Sequence, residues 1–306
     1  MITPRRIAAG AGWRITEFLC DAGPEDRAFE ERHREIGIAL VVGGTFRYRS
    51  AQGSAVLAPG SLLLGNSGAC FECGHEHSRG DRCVSFQFTQ EFFEPIVAAV
   101  PAARSIAFSL PSLPPVEPLL SVLAQVQNLA RMKTVDTNVA LDIALRLAGE
   151  VCGVLADHKS ISLGPRARDA RRIAASLHRI EAAGGNRLAL EDLAREARMS
   201  PFHFLRTFEE VVGTTPGRYI LRMRLRRAAV RLLESTEPVS TVAYEYGFGD
   251  LSTFNRQFRR AMGVSPGQFR LTTAPAARLR ATPPVLAHAR PRPVSVRNGR
   301  PAAKAD

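Results

Sequence analysis

The chain has 306 residues, of which 45% are hydrophobic, with five cysteines and a formal net charge of +12. That is enough apolar material for two ordinary domains, and too few cysteines for a disulfide scaffold. With no apolar run of membrane-spanning length and no leader-like segment after Arg5-Arg6, the expected compartment is the cytoplasm.

The first predicted elements are strands. Ile36–Val42 is a continuous apolar run that ends at Gly43-Gly44, and Thr45–Arg49 alternates at period two. After a turn over Ser50–Gly53, Ala55–Leu57 leads into Ala58-Pro59-Gly60, Ser61–Leu64 follows, and Val84–Phe88 alternates once more. Short strands punctuated by Gly and Pro predict a sandwich or barrel over residues 1–110.

Within this region Cys70, Cys73, His75, His77, Asp81 and Cys83 fall inside fourteen residues. Local groups of Cys and His hold zinc and other thiophilic ions. On an extended segment Cys73, His75 and His77 point the same way, and Cys70 and Cys83 close the set. The same residues also suit a thiol redox switch, or plain burial of small apolar thiols, and the sequence leaves these three readings open. Cys20 and Cys152 read as core cysteines, while His33, His158, His178 and His288 follow no pattern.

Pro114–Met132 and Thr134–Ala156 carry Leu, Val and Ala at helical spacing, which predicts a helical hairpin over residues 112–157. Residues 158–167, with Ser160, Ser162, Gly164 and Pro165, read as a linker. Residues 168–271 read as helical throughout. Residues 272–306 are rich in Pro, Ala and Arg without periodicity and read as a disordered basic tail.

The positive charge lies in the back half. Residues 1–165 carry 15 basic and 17 acidic side chains, residues 166–270 carry 19 and 11, and residues 271–306 carry 7 and 1. That asymmetry belongs to a polyanion binder. The basic residues there are all arginine until Lys304, and arginine suits planar contact with phosphates and guanine edges.

The helical region repeats itself. SPFHFLRTFEEVVGTTPGRY (200–219) returns as DLSTFNRQFRRAMGVSPGQF (250–269), with Phe204 on Phe254, Arg206 on Arg256, Phe208 on Phe258, Gly213 on Gly263 and Pro216-Gly217 on Pro266-Gly267. In each copy a short apolar-faced helix is followed at once by a capped second helix. Ser200 and Pro201 cap and start the first, and Asp250 caps the second. Two helices joined so closely must cross steeply, which is a helix-turn-helix. A helix from Pro216 to Leu233 joins the units, burying Tyr219, Met223 and Val230 and presenting Arg222, Arg224, Arg226, Arg227 and Arg231.

With the phenylalanines inward, the outer face holds Phe202, His203, Leu205 and Arg206 in the first copy and Leu251, Ser252, Asn255 and Arg256 in the second. Recognition helices read base edges with their N-terminal residues, arginine gripping guanine and asparagine adenine. Two such helices braced together suit successive major-groove faces about 34 Å apart.

These motifs, from LEDLAREARMSPFHFLRTFEEVVGTTPGRYI through RLRRAAVRLLE to VSTVAYEYGFGDLSTFNRQFRRAMGVSPGQFR, resemble the DNA-binding domain of the AraC/XylS family of bacterial transcription regulators. The resemblance covers a third of the chain. It implies an α+β two-domain protein with a cupin-like β-barrel and helical hairpin in front and an all-α double helix-turn-helix domain behind. It implies double-stranded promoter DNA as partner, homodimerisation, contact with RNA polymerase, and an unknown small-molecule or metal effector. Its base-contacting positions fall on Phe202, Leu205, Arg206, Ser252, Asn255 and Arg256. Enzymatic cupins place a His-x-His pair before the Pro-Gly turn, whereas His75 and His77 follow it, and Asp81 stands where their motif prefers Glu. A metal-dependent cupin-type enzyme, or a DNA-repair regulator, tethered to DNA is the rival reading, although the cysteine spacing departs from the repair pattern.

Overall fold

The computed structural model describes residues 2–75, 80–101, 103, 105–157, 167–183 and 188–273. The predicted two-part architecture is the one adopted, with β-sheets in front and helices behind. The predicted tail beyond residue 273 and residues 158–166 of the predicted linker lie outside the described residues; Ala167 already opens a helix.

Two antiparallel sheets make up the front. One has the order β1 (Ile2–Gly10), β2 (Trp13–Cys20), β9 (Asp81–Phe88), β4 (Ile36–Gly43), β7 (Leu62–Gly65) and β10 (Ser112–Leu113). The other has the order β3 (Phe29–Arg32), β8 (Cys70–Gly74), β5 (Phe46–Ser50) and β6 (Gly53–Leu57). The unbroken apolar run of β4 has a physical cause, because both of its faces are covered. Ile36, Ile38 and Leu40 face the helices. Ala39 and Val41 face the second sheet, against Phe46, Tyr48 and Leu57. β9 does the same with Val84, Phe86 and Phe88 on one side and Cys83 on the other.

Three helices cover the outer face of the first sheet: α1 (Gln90–Ala99), α2 (Leu120–Arg131) and α3 (Thr137–Asp157). The predicted hairpin is α2 and α3, preceded by the short edge strand β10. α3 presses Ile143, Leu147 and Val151 onto the sheet. The buried Glu17 carboxylate holds two arginines at the end of α2. Arg5 Nε lies 2.6 Å from it, Arg82 also pairs with it, and both guanidiniums donate to Ala130 O at 2.8 and 3.2 Å. Cations at a helix C-terminus satisfy the last carbonyls and oppose the dipole.

The remaining helices are α4 (Ala167–Ala183), α5 (Leu190–Glu196), α6 (Pro201–Val212), α7 (Pro216–Glu234), α8 (Val239–Glu245), α9 (Leu251–Met262) and α10 (Pro266–Thr273). They form two small cores, and each contains side chains from the front of the chain, one in the first and two in the second. Ala58 packs among Leu177, Phe204, Phe208 and Met223. Leu120 and Ala124 of α2 pack among Leu225, Leu232 and Phe258. Ion pairs flank this contact, Arg131 to Glu234 at 2.8 Å and Arg260 to Glu117 at 3.6 Å.

The Ala58-Pro59-Gly60 turn docks on α7. Arg226 is 1% exposed and donates through Nη2 to Pro59 O at 2.9 Å. The Tyr219 hydroxyl donates to the same carbonyl at 3.3 Å and lies 2.9 Å from Glu181 Oε1. Arg226 therefore corrects the sequence expectation of a presented arginine. Its side chain lies in the interface, and its Nε and Nη1 have no hydrogen-bond partner among the described residues. Gly60 has φ +100°, and a Cβ there would overlap the Arg226 guanidinium.

Gly68 serves as a control, since its φ is +77° but an added Cβ would meet nothing within 4 Å. Gly60→Ala should cost about 1–3 kcal/mol in denaturant unfolding, and more than Gly68→Ala, which carries the backbone strain alone. Equal costs at the two positions would show that the Arg226 contact is not tight.

Candidate nucleic-acid interface

Each helix-turn-helix begins with an ordinary amphipathic helix, and the turn chemistry sets its geometry. α5 ends with Arg198 at φ 52°, with Met199 N donating to Ala194 O at 2.9 Å. α8 ends in the same way with Gly247 at φ 79° and Phe248 N donating to Ala243 O at 3.1 Å. This left-handed cap with a six-to-one bond closes a helix sharply. Glycine meets the requirement in the second copy. An exposed arginine meets it in the first, and its positive φ is the structural feature that spacing alone does not reveal.

The next helices start where the caps predict. Ser200 Oγ accepts from His203 N at 3.3 Å, and Asp250 Oδ1 accepts from Thr253 N at 2.7 Å. That backbone bond holds the Asp250 carboxyl below its ordinary pKa. Gly213 and Gly263 close the two helices at φ 74° and 79°.

Aromatic stacking repeats along with the sequence. Phe204 and Phe208 lie 5.7 Å apart, and Phe208 meets Tyr219 edge-on at 6.0 Å. Phe254 and Phe258 lie 5.4 Å apart, and Phe258 meets Phe269 edge-on at 5.5 Å. Such pairs add stability beyond their area and fix ring geometry. The copies differ by one atom of consequence, because Tyr219 carries the hydroxyl that reaches Pro59 and Phe269 has none.

With these rings inside, α6 turns Phe202 and Arg206 outward and leaves Leu205 half-buried. Phe202 is 77% exposed, an unusual position for a large apolar ring. α9 exposes Ser252 and Arg256 and leaves Asn255 half-buried. All six residues lie on the first two turns of their helices. Arg206 Nε pairs with Glu210 Oε1 at 3.0 Å, both side chains largely exposed. An exposed pair of this kind is weak, so a phosphate or a base edge can displace it.

The cysteine-histidine group is only partly as predicted. Cys73 and Cys83 are buried between the sheets, and His75 is buried with Nε2 2.6 Å from Asp81 Oδ2. Cys70 is exposed and half a strand period out of phase with Cys73, so it does not join them. His77 lies outside the described residues. Cys20, expected to be a core cysteine, stands beside His75 and Asp81 instead. Cys152 is buried as expected. His33 also gains a role, with Nε2 2.9 Å from the Tyr48 hydroxyl and its ring stacked on Phe71 at 4.2 Å. Burial lowers its pKa to about 4.

Comparison with known proteins bears on the helical half. Residues 193–272 match the family model described as a helix-turn-helix domain. The chain is 43% identical over 93 residues to the HTH-type transcriptional regulator Rv1931c of Mycobacterium tuberculosis, covering 30% of this chain and 35% of that protein. It is 34% identical over 87 residues to the HTH-type transcriptional activator AarP of Providencia stuartii, covering 28% and 64%. The chain thus spans about a third to under two thirds of the length of these curated relatives. Among solved structures, an apo form of ToxT from Vibrio cholerae overlays 87% of this chain and 100% of that one, at 14% identity and a TM-score of 0.39, too distant to carry an argument.

Because Arg198 is exposed and only backbone bonds cross its cap, Arg198→Gly should raise stability by roughly 1 kcal/mol in thermal or denaturant unfolding. An unchanged or lowered midpoint would show that the arginine side chain makes a contact that outweighs the strain.

Proposed function

We propose that this chain is a sequence-specific DNA-binding transcription regulator of the AraC/XylS family whose front domain senses an effector, a reading supported by the C-terminal helix-turn-helix match and by the regulators it resembles there. The observation that carries this reading is the exposed first-turn face of α6 and of α9, repeated on two units that α7 holds together. Phe202, Leu205 and Arg206 are the proposed readers of one groove segment, and Ser252, Asn255 and Arg256 of the next. Phe202 and Leu205 suit thymine methyls, Arg206 and Arg256 guanine, and Asn255 adenine.

The effector site in this reading is the cavity of about 840 Å3 between the two sheets, lined among others by Arg14, His33, Glu35, Phe46 and Phe71. A concave, mostly apolar space with a few charged groups is the usual form of a small-molecule site. The route to the DNA-reading half is short, because the turn after β6 touches α7 directly. Homodimerisation belongs to the same proposal. The apolar faces of α2 are taken up within the chain, so the proposed pairing surface is the outer side of α3, where Val139 and Leu145 are exposed. RNA polymerase is the proposed protein partner and the cytoplasm the proposed compartment. Among the described residues no helix is long and apolar enough to cross a membrane. The relatives named above are transcription regulators, which favours this reading over an enzyme.

On a site selected from random duplexes, Arg206→Ala and Arg256→Ala should each weaken binding by about 1–3 kcal/mol, or roughly 5- to 150-fold. Affinity for unselected duplex should fall much less. Fluorescence anisotropy at fixed salt reads both. Parent-like affinity in both variants would refute the assignment of α6 and α9 to the grooves.

A further inference from the structure

Three strand ends meet at one end of the barrel. Cys20 closes β2, Asp81 opens β9, and the two residues are directly paired across those strands. His75 immediately follows β8. One donor atom from each of Cys20, His75 and Asp81 lies within 4.8 Å of the others. Ligand atoms around a single zinc-like ion stand about 3.3–3.8 Å apart, as bond lengths of about 2.0–2.3 Å require, so a small inward movement closes the set.

The surroundings are built rather than accidental. The His75 ring is buried 5.8 Å from Phe46. Its Nε2 stands 2.6 Å from Asp81 Oδ2, a hydrogen bond that holds the two side chains side by side and that an ion bound between them would replace. The Cys83 thiol donates to Asp81 Oδ1 at 3.3 Å. Gly44, at φ +80°, lets the β4–β5 turn approach so closely that a Cβ would stand 2.7 Å from Asp81 Cα. Gly80 N donates to Ala22 O at 2.8 Å, which pins the start of β9 beside Cys20. Cys20, Asp81 and Cys83 all line the cavity between the sheets.

We propose that Cys20, His75 and Asp81 bind a divalent transition-metal ion of the zinc class, with the Cys83 thiol as the neighbouring donor. Mixed sulfur, nitrogen and oxygen ligands select such an ion over magnesium or calcium, which want oxygen alone. A thiol that ligates the ion gives up its proton to solvent. The predicted set changes accordingly, as Cys20 and Asp81 enter it, Cys73 and the exposed Cys70 leave it, and His77 lies outside the described residues. The site does not depend on the DNA-binding reading, and its test contains no DNA.

The test is titration of the full chain, reduced and stripped of metal, with Co2+. Saturation at one equivalent is expected, with the strong visible bands of tetrahedral cobalt and a thiolate-to-cobalt band in the near ultraviolet, both abolished by Zn2+. Cys20→Ser should remove the thiolate band, and Asp81→Asn, nearly isosteric, should weaken binding at least tenfold. Cys70→Ser should match the parent. No saturable spectrum in the folded parent would overturn the proposal, as would parent-like titrations in both Cys20→Ser and Asp81→Asn.

Discussion

Helix α7 is the constraint on which the rest of the structure depends. It is buried along most of its length, and it belongs at once to both helix-turn-helix cores and to the contact with the front of the chain. Its N-terminal end supplies Tyr219 to the aromatic cluster of the first unit, and its C-terminal end supplies Leu232 and Leu233 to the second. A helix of 19 residues fixed at both ends is a stiff spacer of about 28 Å. The proposed reading of DNA by α6 and α9 requires such a spacer, because two helices share a register along a duplex only if the part between them does not bend.

In the proposed function, the same helix is the route by which the front half and the helical half exchange free energy. Allostery needs an element whose arrangement both sites bias. Here the turn at Pro59 leaves the second sheet and lands on Arg226 and Tyr219, and α2 leaves the first sheet and lands on Leu225 and Leu232. The buried Arg226, with two nitrogens unpartnered among the described residues, is expensive in its present setting. The hydroxyl that distinguishes Tyr219 from its repeat partner Phe269 places this contact on the first unit alone.

Much of the reading half is legible in the sequence because its signals are local. Caps at Ser200 and Asp250, prolines at the first helical position and glycines past the ends locate α6, α7, α9 and α10 within a residue or two. At Arg226 charge points outward and period points inward, and the period wins. Tyr219, Met223, Arg226, Val230 and Leu233 follow helical spacing, and that stripe places the arginine inside. In the front half the strands with long apolar runs are visible, while β1 is not, since it is a largely exposed edge with Arg5, Arg6 and Pro4 along it. Cys20 cannot be connected to His75 and Asp81 from the sequence, because pairing across sixty residues leaves no trace in spacing. Cys70 looks like a ligand only because proximity in sequence ignores the two faces of a strand.

The most direct measurement is of phasing on DNA. Hydroxyl-radical footprinting of the full chain on its selected site should show two protected segments one helical turn apart. Inserting about half a turn of duplex between them should abolish specific binding, and inserting a full turn should leave it weakened as well, because α7 does not stretch. A single protected segment, or affinity indifferent to the insertions, would contradict two braced helices reading successive grooves.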